Sequence, residues 1–319
     1  MAVSLEQRFQ GSLLGLAVGD ALGGRFEAQS AEHLRQRFSG VESLINYVTD
    51  EIWYTDDTQM TIALAEVLAD QGEILEESLC AAFVGNYVPS RGYGRGARMV
   101  IEAMEEGEDY RAVASKYFPG GSYGNGAAMR VAPVGLFFHN DEAMLLEQAR
   151  QSALPTHVHP LGIEGAQLIA AAVAYVTRSD EFKRDDFFRW LISLCQSEEY
   201  REKLTAASEI KSTEQLAGLG NGIEALESVP TAIASFALSP ESYAETIGNV
   251  ILLGGDADTL AAMAGAISGA HLGVDAIPKQ LLGRLEESPK GKSYLLSLAS
   301  RLFLKYQLRL ANRSIDERT

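Results

Sequence analysis

The stretch Leu5–Leu22, LEQRFQGSLLGLAVGDAL, decides the fold class of this 319-residue chain. Its apolar residues recur at helical spacing, as at Phe9, Leu13 and Leu16. Glycines repeat every fourth position between them, and such small residues allow a neighbouring helix to approach closely. The pattern therefore predicts a buried helix in an all-α protein.

Helical periodicity continues along the rest of the chain, which contains only nine prolines. Further helices are predicted at Thr58–Ala69, Glu76–Tyr87, Gly94–Glu105, Glu142–Ala153, Pro160–Thr177, Arg184–Cys195, Gln215–Glu227, Val229–Ala237, Ser242–Leu253, Asp258–His271 and Ser293–Leu308. The one short strand that we predict is Ser43–Tyr47. Because neither a linker nor a fixed repeat divides the chain, we expect a single compact helical domain over residues 1–319.

Charge and composition exclude several classes of function. The net charge of −16 disfavours general binding to nucleic acid, since phosphate backbones would be repelled. The longest apolar run, Gly165–Thr177, is shorter than the roughly 20 residues that cross a membrane. Cys80 and Cys195 lack metal-type spacing and are expected to be buried thiols of a reducing compartment. We therefore expect a cytoplasmic monomer without membrane contact.

The segment Tyr54–Gln59, YTDDTQ, places two adjacent aspartates before a predicted helix. As a helix start, Asp56 would be the N-cap and Gln59 its capping-box partner. That interpretation uses one acid and leaves Asp57 and the two flanking threonines without a role.

A second acidic cluster, Gly254–Thr259 (GGDADT), also precedes a predicted helix. One aspartate could again be a cap, but Asp256 and Asp258 alternate across Ala257, which directs both carboxylates to one side of a turn. Hard cations such as Mg²⁺, Mn²⁺ or Ca²⁺ prefer oxygen ligands of this kind. The negative charge of four carboxylates exceeds the positive charge of two helix N-termini, which is about +0.5 each. Together the clusters predict one divalent-metal site, while capping stays open for each cluster alone.

A third acidic element, Gly19–Glu27, comprises the end of the first helix and the turn after it. Asp20 lies late in that helix, where a simple polar contact at the helix end would explain it. Glu27 follows a Gly-Gly turn and is either a solvated loop residue or a metal ligand and proton acceptor.

Two glycine-rich loops are candidates for the walls of a substrate pocket. Gly120–Gly126 is either a flexible surface loop or a nest of backbone amides for a diphosphate, to which a helix from Ala127 onward would add a positive N-terminus. Tyr123 in this loop could stack on a sugar or a base. Gly92–Gly96 would form a second wall that includes Tyr93 and Gly94, and its arginine, Arg95, either reaches phosphate or is solvated.

The pair His157 and His159 has spacing that zinc could use, but neither a cysteine nor a third histidine is near in sequence. We therefore exclude a zinc site. Arg130, in what we expect to be a helix start, is interpreted as structural.

Five motifs in this order resemble the ADP-ribosylhydrolase (ADP-ribosylglycohydrolase) family, which includes the dinitrogenase reductase-activating glycohydrolase. They are GSLLGLAVGDALGGRFE, YTDDTQM, YGRGA, GSYGNGAAMRVAPVGL and GGDADTLAAMAGAISGA, between Gly11 and about Gly273. The resemblance implies an all-helical fold with a site for two Mg²⁺ or Mn²⁺ ions. The last motif often has threonine where this chain has Ala257, a position that need not supply a ligand.

The resemblance also implies roles for individual residues. The metal ligands would be Thr55, Asp56, Asp57, Asp256, Asp258 and Thr259. Glu27 would match a flexible-loop glutamate that gates the site and touches a metal. ADP-ribose would contact Ser122, Tyr123, Gly124, Asn125 and His157.

The predicted reaction is hydrolysis of the bond between the anomeric carbon of ADP-ribose and a protein side chain. Glu27, Asp56 and Asp256 are the candidate bases; metal-bound carboxylates are poorer bases, which favours Glu27. The motifs look most like the branch that removes O-linked ADP-ribose from serine and trims poly(ADP-ribose), with O-acetyl-ADP-ribose as a further possible substrate. An arginine-specific hydrolase is the alternative, and a non-catalytic ADP-ribose-binding protein is the second. A phosphohydrolase is disfavoured because the chain contains no His-Asp dipeptide.

Overall fold

A computed structural model of the chain describes residues 2–179 and 181–316. Within these ranges, α-helices are joined by loops and short 3₁₀ turns, and β-structure is limited to isolated bridges. The helices are α1 (Leu5–Gly23), α2 (Ala31–Arg37), α3 (Val41–Tyr47), α4 (Asp56–Gln71), α5 (Glu76–Asn86), α6 (Arg95–Glu105), α7 (Tyr110–Tyr117), α8 (Ala132–Phe137), α9 (Glu142–Ala153), α10 (Pro160–Thr177), α11 (Arg184–Leu194), α12 (Glu198–Glu209), α13 (Thr213–Leu216), α14 (Ala225–Leu238), α15 (Tyr243–Ile251), α16 (Ala257–Leu272), α17 (Lys279–Leu282) and α18 (Lys292–Asp316). The all-α prediction is confirmed.

The centre of the fold is an antiparallel seam between α1 and α16. Both helices are buried along almost their whole length. At Gly15 the backbones approach so closely that an added Cβ would lie 2.5 Å from the carbonyl oxygen of Gly265. Gly19 similarly faces the carbonyl of Ala261. The glycines of the N-terminal helix therefore set the distance between two helices that are about 250 residues apart in sequence.

Helix α10 packs in the core against α8, α9, α14 and α16. By length and composition it is the one helix of the described ranges that is long and apolar enough to cross a membrane, and 78% of it is buried inside the protein. The sequence predicts no apolar run long enough to cross a membrane, because the run is taken to begin at Gly165. The helix instead begins at Pro160, which makes it longer than that run. Its burial is typical of a core helix.

The predicted strand Ser43–Tyr47 is wrong, since these residues belong to α3. The Ser43 side chain accepts a hydrogen bond from the backbone N–H of Gly40 (3.2 Å), which is a contact made at helix starts. Val41, Leu44 and Ile45 are buried together at helical spacing. A short apolar run fits both periodicities, and the serine at the helix start decides between them.

The predicted helix Gln215–Glu227 is also wrong. Helix α13 ends at Leu216, and α14 begins only at Ala225. Three glycines between positions 218 and 222 interrupt the pattern. The intervening loop, residues 217–224, carries Asn221 and Ile223 towards the site described below.

Five helices were missed by periodicity: α2, α7, α8, α12 and α17. In α2, Leu34 is the one buried residue, so the apolar stripe is too narrow to register as periodic. Helices α8 and α17 are too short to produce a periodic signal.

Candidate active site

Loops from distant parts of the chain meet around a cavity of about 360 Å³. The cavity is lined by Glu27, Asp56, Asp57, Met60, Gly92, Gly94, Arg95, Gly96, Ala97, Val100, Phe118, Ser122, Gly124, Asn125, Gly126, Met129, Arg130, Thr156, His157, Ile223, Asp256, Asp258 and Thr259. The N-terminal turns of α4 and α16 supply the carboxylates at one end. The ring of Phe118, which packs against Gly96, and apolar side chains such as Val100 also line the cavity.

The first acidic cluster starts helix α4, but not as predicted. Thr55 rather than Asp56 is the N-cap residue, and its side chain makes no capping bond within the helix. The Gln59 side chain does not fold back as a capping-box partner, because its oxygen accepts hydrogen bonds from Val88 N (2.9 Å) and the Tyr93 hydroxyl (2.8 Å). Asp56 and Asp57 are therefore available to the cavity.

Asp20 of α1 accepts hydrogen bonds from the backbone N–H groups at this helix start, which have no partner within the helix. Its carboxylate accepts hydrogen bonds from the backbone N–H of Thr55 (2.9 Å) and of Thr58 (3.0 Å). The hydroxyls of the same two threonines donate to it at 2.7 and 2.5 Å. Burial raises the pKa of Asp20 to about 6, although these four donors oppose the rise. Asp20 thus fixes the position of the first cluster without lining the cavity.

The second acidic cluster is held by backbone contacts and amide side chains. Gly254 and Gly255 both have positive φ, and an added Cβ at either would meet a carbonyl oxygen at 2.2 to 2.3 Å. The N–H of Asp256 donates to the carbonyl of Asn221 (3.0 Å). The side-chain amide of Asn125 donates to the Asp256 carboxylate (2.5 Å), so this cluster also touches the glycine-rich loop.

Glu27 lies next to the second cluster. Ligand oxygens of Glu27, Asp256 and Asp258 lie within 4.8 Å of one another, which is a spacing that one metal ion could bridge. Glu27 itself is exposed, whereas both aspartates are buried. The following residue, Ala28, has φ 60°, and its N–H donates to the carbonyl of Gly255 (2.9 Å). The glutamate is thereby attached to the loop that carries Asp256.

The carboxylates repel one another strongly in this buried setting. Burial, followed by the charge of Asp20, raises the pKa of Asp56 to about 7. Burial and then Asp256 raise the pKa of Asp258 to about 9, and burial with the neighbouring carboxylates also raises the pKa of Asp57. One oxygen of Asp57 is buried without a hydrogen-bond partner. An all-oxygen donor set with an orphaned carboxylate oxygen fits a bound divalent cation.

The glycine-rich loop differs from the predicted amide nest. The N–H of Asn125 donates to the carbonyl of Ile223 (2.9 Å), and that of Gly124 points to the Ser122 hydroxyl (3.3 Å). Both amides therefore already have acceptors. The predicted helix from Ala127 onward is wrong: a 3₁₀ turn, Asn125–Ala127, stands here, and the next helix begins at Ala132.

His157 is buried and lines the cavity beside the two loops. Arg130 donates to the Thr156 hydroxyl (2.8 Å), and that hydroxyl lies 2.7 Å from Nδ1 of His157. The hydroxyl can either donate its proton to Nδ1 or accept a second hydrogen bond from Nδ1–H, so this contact fits both tautomers of His157. Burial, reinforced by Arg130, lowers the pKa of His157 to about 3. A neutral histidine of this kind does not act as a proton shuttle near neutral pH.

Some predicted site residues do not line the cavity. The hydroxyl of Tyr93 is bonded to Gln59 behind the wall, and the ring of Tyr123 is 49% exposed with its edge packed on His159. The Thr55 hydroxyl is engaged by Asp20 and Asp57. The binding roles of these three residues remain predictions.

Other lining residues were missed, chiefly Phe118 and Ile223. Phe118 has the clearest signal, since it is an aromatic residue two positions before the Gly120 loop. Ile223 was hidden in the predicted helix Gln215–Glu227. Arg130 is structural as expected, because its guanidinium donates to the carbonyls of Gly126 and Ser152.

Comparisons with known proteins agree with this geometry. The family model for ADP-ribosylglycohydrolase matches residues 1–312. The chain is 36% identical over 317 residues to the ADP-ribosylhydrolase ARH3 of Xenopus tropicalis, a match covering 85% of this chain and 89% of the relative. It is 34% identical over 318 residues to the human ADP-ribosylhydrolase ARH3, with 85% and 87% covered. A solved structure described as an ADP-ribosylglycohydrolase-related protein complex shares the fold, with a TM-score of 0.70, 23% identity and coverage of 95% and 99%.

Proposed function

The chain belongs to the ADP-ribosylglycohydrolase family, and from this premise we propose that it is a divalent-metal-dependent hydrolase that releases ADP-ribose from O-linked serine side chains. The observation that carries the proposal is one cavity with a buried acidic cluster at one end and glycine-rich loops along its side. The serine linkage is supported by the likeness of YGRGA, SYGNGA and THVHPLG to the serine branch of the family.

The two ends of the cavity suit different parts of ADP-ribose. The carboxylate end fits the ribose whose anomeric carbon reacts, because metal ions held there would bind its hydroxyls. The loop with Ser122 and Asn125 fits the diphosphate between the two ends. The end with Phe118 and Val100 fits the adenine ring, which gains from aromatic stacking and apolar contact.

The residues that would hold the ions are Thr55, Asp56, Asp57, Asp256, Asp258 and Thr259, with Glu27 adjacent. We propose two ions, Mg²⁺ or Mn²⁺. When bound, such ions neutralise the carboxylates, orient the ribose and lower the pKa of bound water.

The protein groups would act on a transition state that resembles an oxocarbenium ion. The bond from the anomeric carbon to the serine oxygen breaks, the oxygen of a water molecule bonds to that carbon, and the released serine oxygen takes up a proton. Glu27 is proposed to accept the proton of the attacking water, because it is exposed at the cavity whereas Asp56 and Asp256 are buried. The buried carboxylates stabilise the positive charge that develops on the sugar.

One assay separates the alternatives. Recombinant protein is given serine- and arginine-ADP-ribosylated peptides, each with Mg²⁺ and with EDTA, and free ADP-ribose is measured. We expect release from the serine peptide with Mg²⁺ and little with EDTA. Equal release with EDTA would contradict the metal requirement. Release of ADP-ribose from the arginine peptide alone would contradict the proposed serine linkage. Binding of ADP-ribose without release from either peptide would indicate a non-catalytic ADP-ribose-binding protein.

A further inference from the structure

Beside the metal end of the cavity lies a second surface, which we call the Trp53 shelf and define by Trp53, Val88, Ser90 and Arg91. The shelf forms the wall of a shallow depression of about 440 Å³. Trp53 is 56% exposed and Val88 is 43% exposed. An indole left this far in solvent contributes little to stability, and exposed apolar surface of this kind is common at binding sites.

The shelf is rigidly supported from below. The N–H of Ile52 donates to the carbonyl of Arg284 (2.9 Å), and the N–H of Tyr54 donates to the Glu286 carboxylate (3.1 Å). Arg91 forms an ion pair with the fully buried Glu286 and stacks on the Tyr54 ring at 3.9 Å. The backbone on both sides of Trp53 is therefore fixed. The Arg91 guanidinium lies 5.9 Å from the centroid of the indole ring, and more than half of the side chain is still presented to solvent.

The depression is continuous with the acidic end of the cavity. Gly92 lines both, and Thr55, which lines the depression, directly precedes Asp56 of the acidic cluster. In the orientation proposed above, ADP-ribose extends away from the metals towards Phe118. A polypeptide joined to the anomeric carbon must therefore leave the site at the metal end, where the shelf lies.

The charge around the shelf specifies the chemistry of this segment. The guanidinium of Arg91 is neutralised by Glu286. The two residues before Ile52, Asp50 and Glu51, are exposed acids, and the cation beside them, Arg25, donates to the Glu51 carbonyl (2.7 Å) and leaves an excess of negative charge. The chain as a whole carries a net charge of −16. An exposed indole face also attracts ammonium and guanidinium groups. A basic side chain is thus the favoured occupant.

We propose that the Trp53 shelf binds the substrate polypeptide next to its ADP-ribosylated residue and favours a lysine or arginine there. This inference rests on the proposed function, because it takes the anomeric carbon to lie at the carboxylate end.

The test compares three substrates: a serine-ADP-ribosylated peptide with lysine beside the serine, the same peptide with glutamine there, and a single blocked serine carrying ADP-ribose. The variant is Trp53→Ala. The matched control is Leu308→Ala on α18, where the side chain is similarly exposed at 54%. We expect Trp53→Ala to lower kcat/KM about tenfold on the lysine peptide, mainly through KM, with a smaller change on the glutamine peptide. The single serine and the control should show no change.

An equal loss on all three substrates would overturn the inference, since Trp53 would then support the site itself. No loss on any of the three substrates would also overturn the inference. So would a wild-type dimer that Trp53→Ala dissociates, because the shelf would then be a contact between two copies of the chain. If the wild type releases nothing, binding of the unmodified lysine peptide is measured by isothermal titration calorimetry. Binding that is lost in Trp53→Ala would preserve the shelf while the proposed function fails, and an absence of binding would overturn both.

Discussion

The two acidic clusters stand at equivalent places, each at the start of a buried helix, yet they are held in opposite ways. The cluster at α4 is fixed by Asp20, a buried carboxylate that accepts four hydrogen bonds from two threonines. The cluster at α16 is fixed by amides and backbone groups, through Asn125 and Asn221. One support carries charge and the other does not.

This difference sets how each cluster responds to a cation. Asp20 raises the pKa of both Asp56 and Asp57 by repulsion, second only to burial. Asp20 therefore fixes the geometry of the first cluster but adds repulsion between carboxylates. A bound cation would offset that repulsion. The second cluster has a neutral support, although Asp20 also raises the pKa of Asp258, after burial and the charge of Asp256.

The largest effect is expected from removing the first cluster. Asp56→Ala with Asp57→Ala should abolish turnover, because metal ions contribute several kcal/mol to catalysis, or on the order of 10³-fold in rate. The measurement is ADP-ribose release, with the far-UV circular dichroism unchanged. Full retained activity would count decisively against the site.

A smaller loss is expected from Asp20→Asn, which replaces two acceptor oxygens by one oxygen and an NH₂ group that faces the donors of Thr55 and Thr58. Rates should fall about 10²-fold, the effect of a misplacement of about 1 Å. The matched control is Asp70→Asn, since Asp70 forms an exposed ion pair with Arg301. If both variants kept wild-type kcat/KM, Asp20 would have no role in positioning the cluster.

The neutral support should be less sensitive. Asn221→Ala removes hydrogen bonds to the carbonyls of Leu253 (2.9 Å) and Gly254 (3.0 Å). Neutral bonds contribute about 1 kcal/mol each, so the loss of both should lower kcat/KM by at most about 30-fold. The comparison variant is Asn140→Ala, which loses one bond to Tyr306 far from the cavity. If Asn221→Ala lowered kcat/KM more than Asp20→Asn does, the neutral support would be the more important of the two for activity.

The pH dependence of metal-free stability gives the smallest effect. The folded-state pKa values of Asp56 (about 7) and Asp258 (about 9) lie above their ordinary value of 3.8. The stability from their protonation is complete below pH 3.8 and is lost as pH rises through the folded values. The slope is about 1.4 kcal/mol per pH unit for each extra bound proton. In EDTA the unfolding free energy should fall between pH 6 and pH 9, measured by denaturant titration.

Saturating Mg²⁺ provides the control for this titration. Bound cations favour the ionised carboxylates, so the decline with pH should be smaller in Mg²⁺ than in EDTA. Higher stability at pH 9 than at pH 6 in EDTA would contradict the pKa shifts of the acidic cluster.

Sequence patterns predicted the aspartates of this site better than the residues that hold those aspartates in place. The aspartates were found because two acids after a turn exceed what a helix start requires. Asp20 was interpreted only as a polar contact, because its partners lie 35 and 38 residues away and tertiary packing alone brings them together. The loop 217–224 was predicted as helix because Leu216 and Leu219, both buried, are at helical spacing despite the glycines between and after them. Contacts across such distances leave no local periodicity.

The seam between α1 and α16 has a consequence for biosynthesis. Helix α1 is synthesised about 250 residues before α16, which begins at Ala257. Until that partner is made, the glycine face of α1 has nothing to cover it, and Asp20 and Asp258 belong to unjoined parts of a nascent chain. Contacts of such sequence separation form late and slowly. The hydrolase would therefore stay catalytically silent, with its two acidic clusters apart, until α16 has been synthesised.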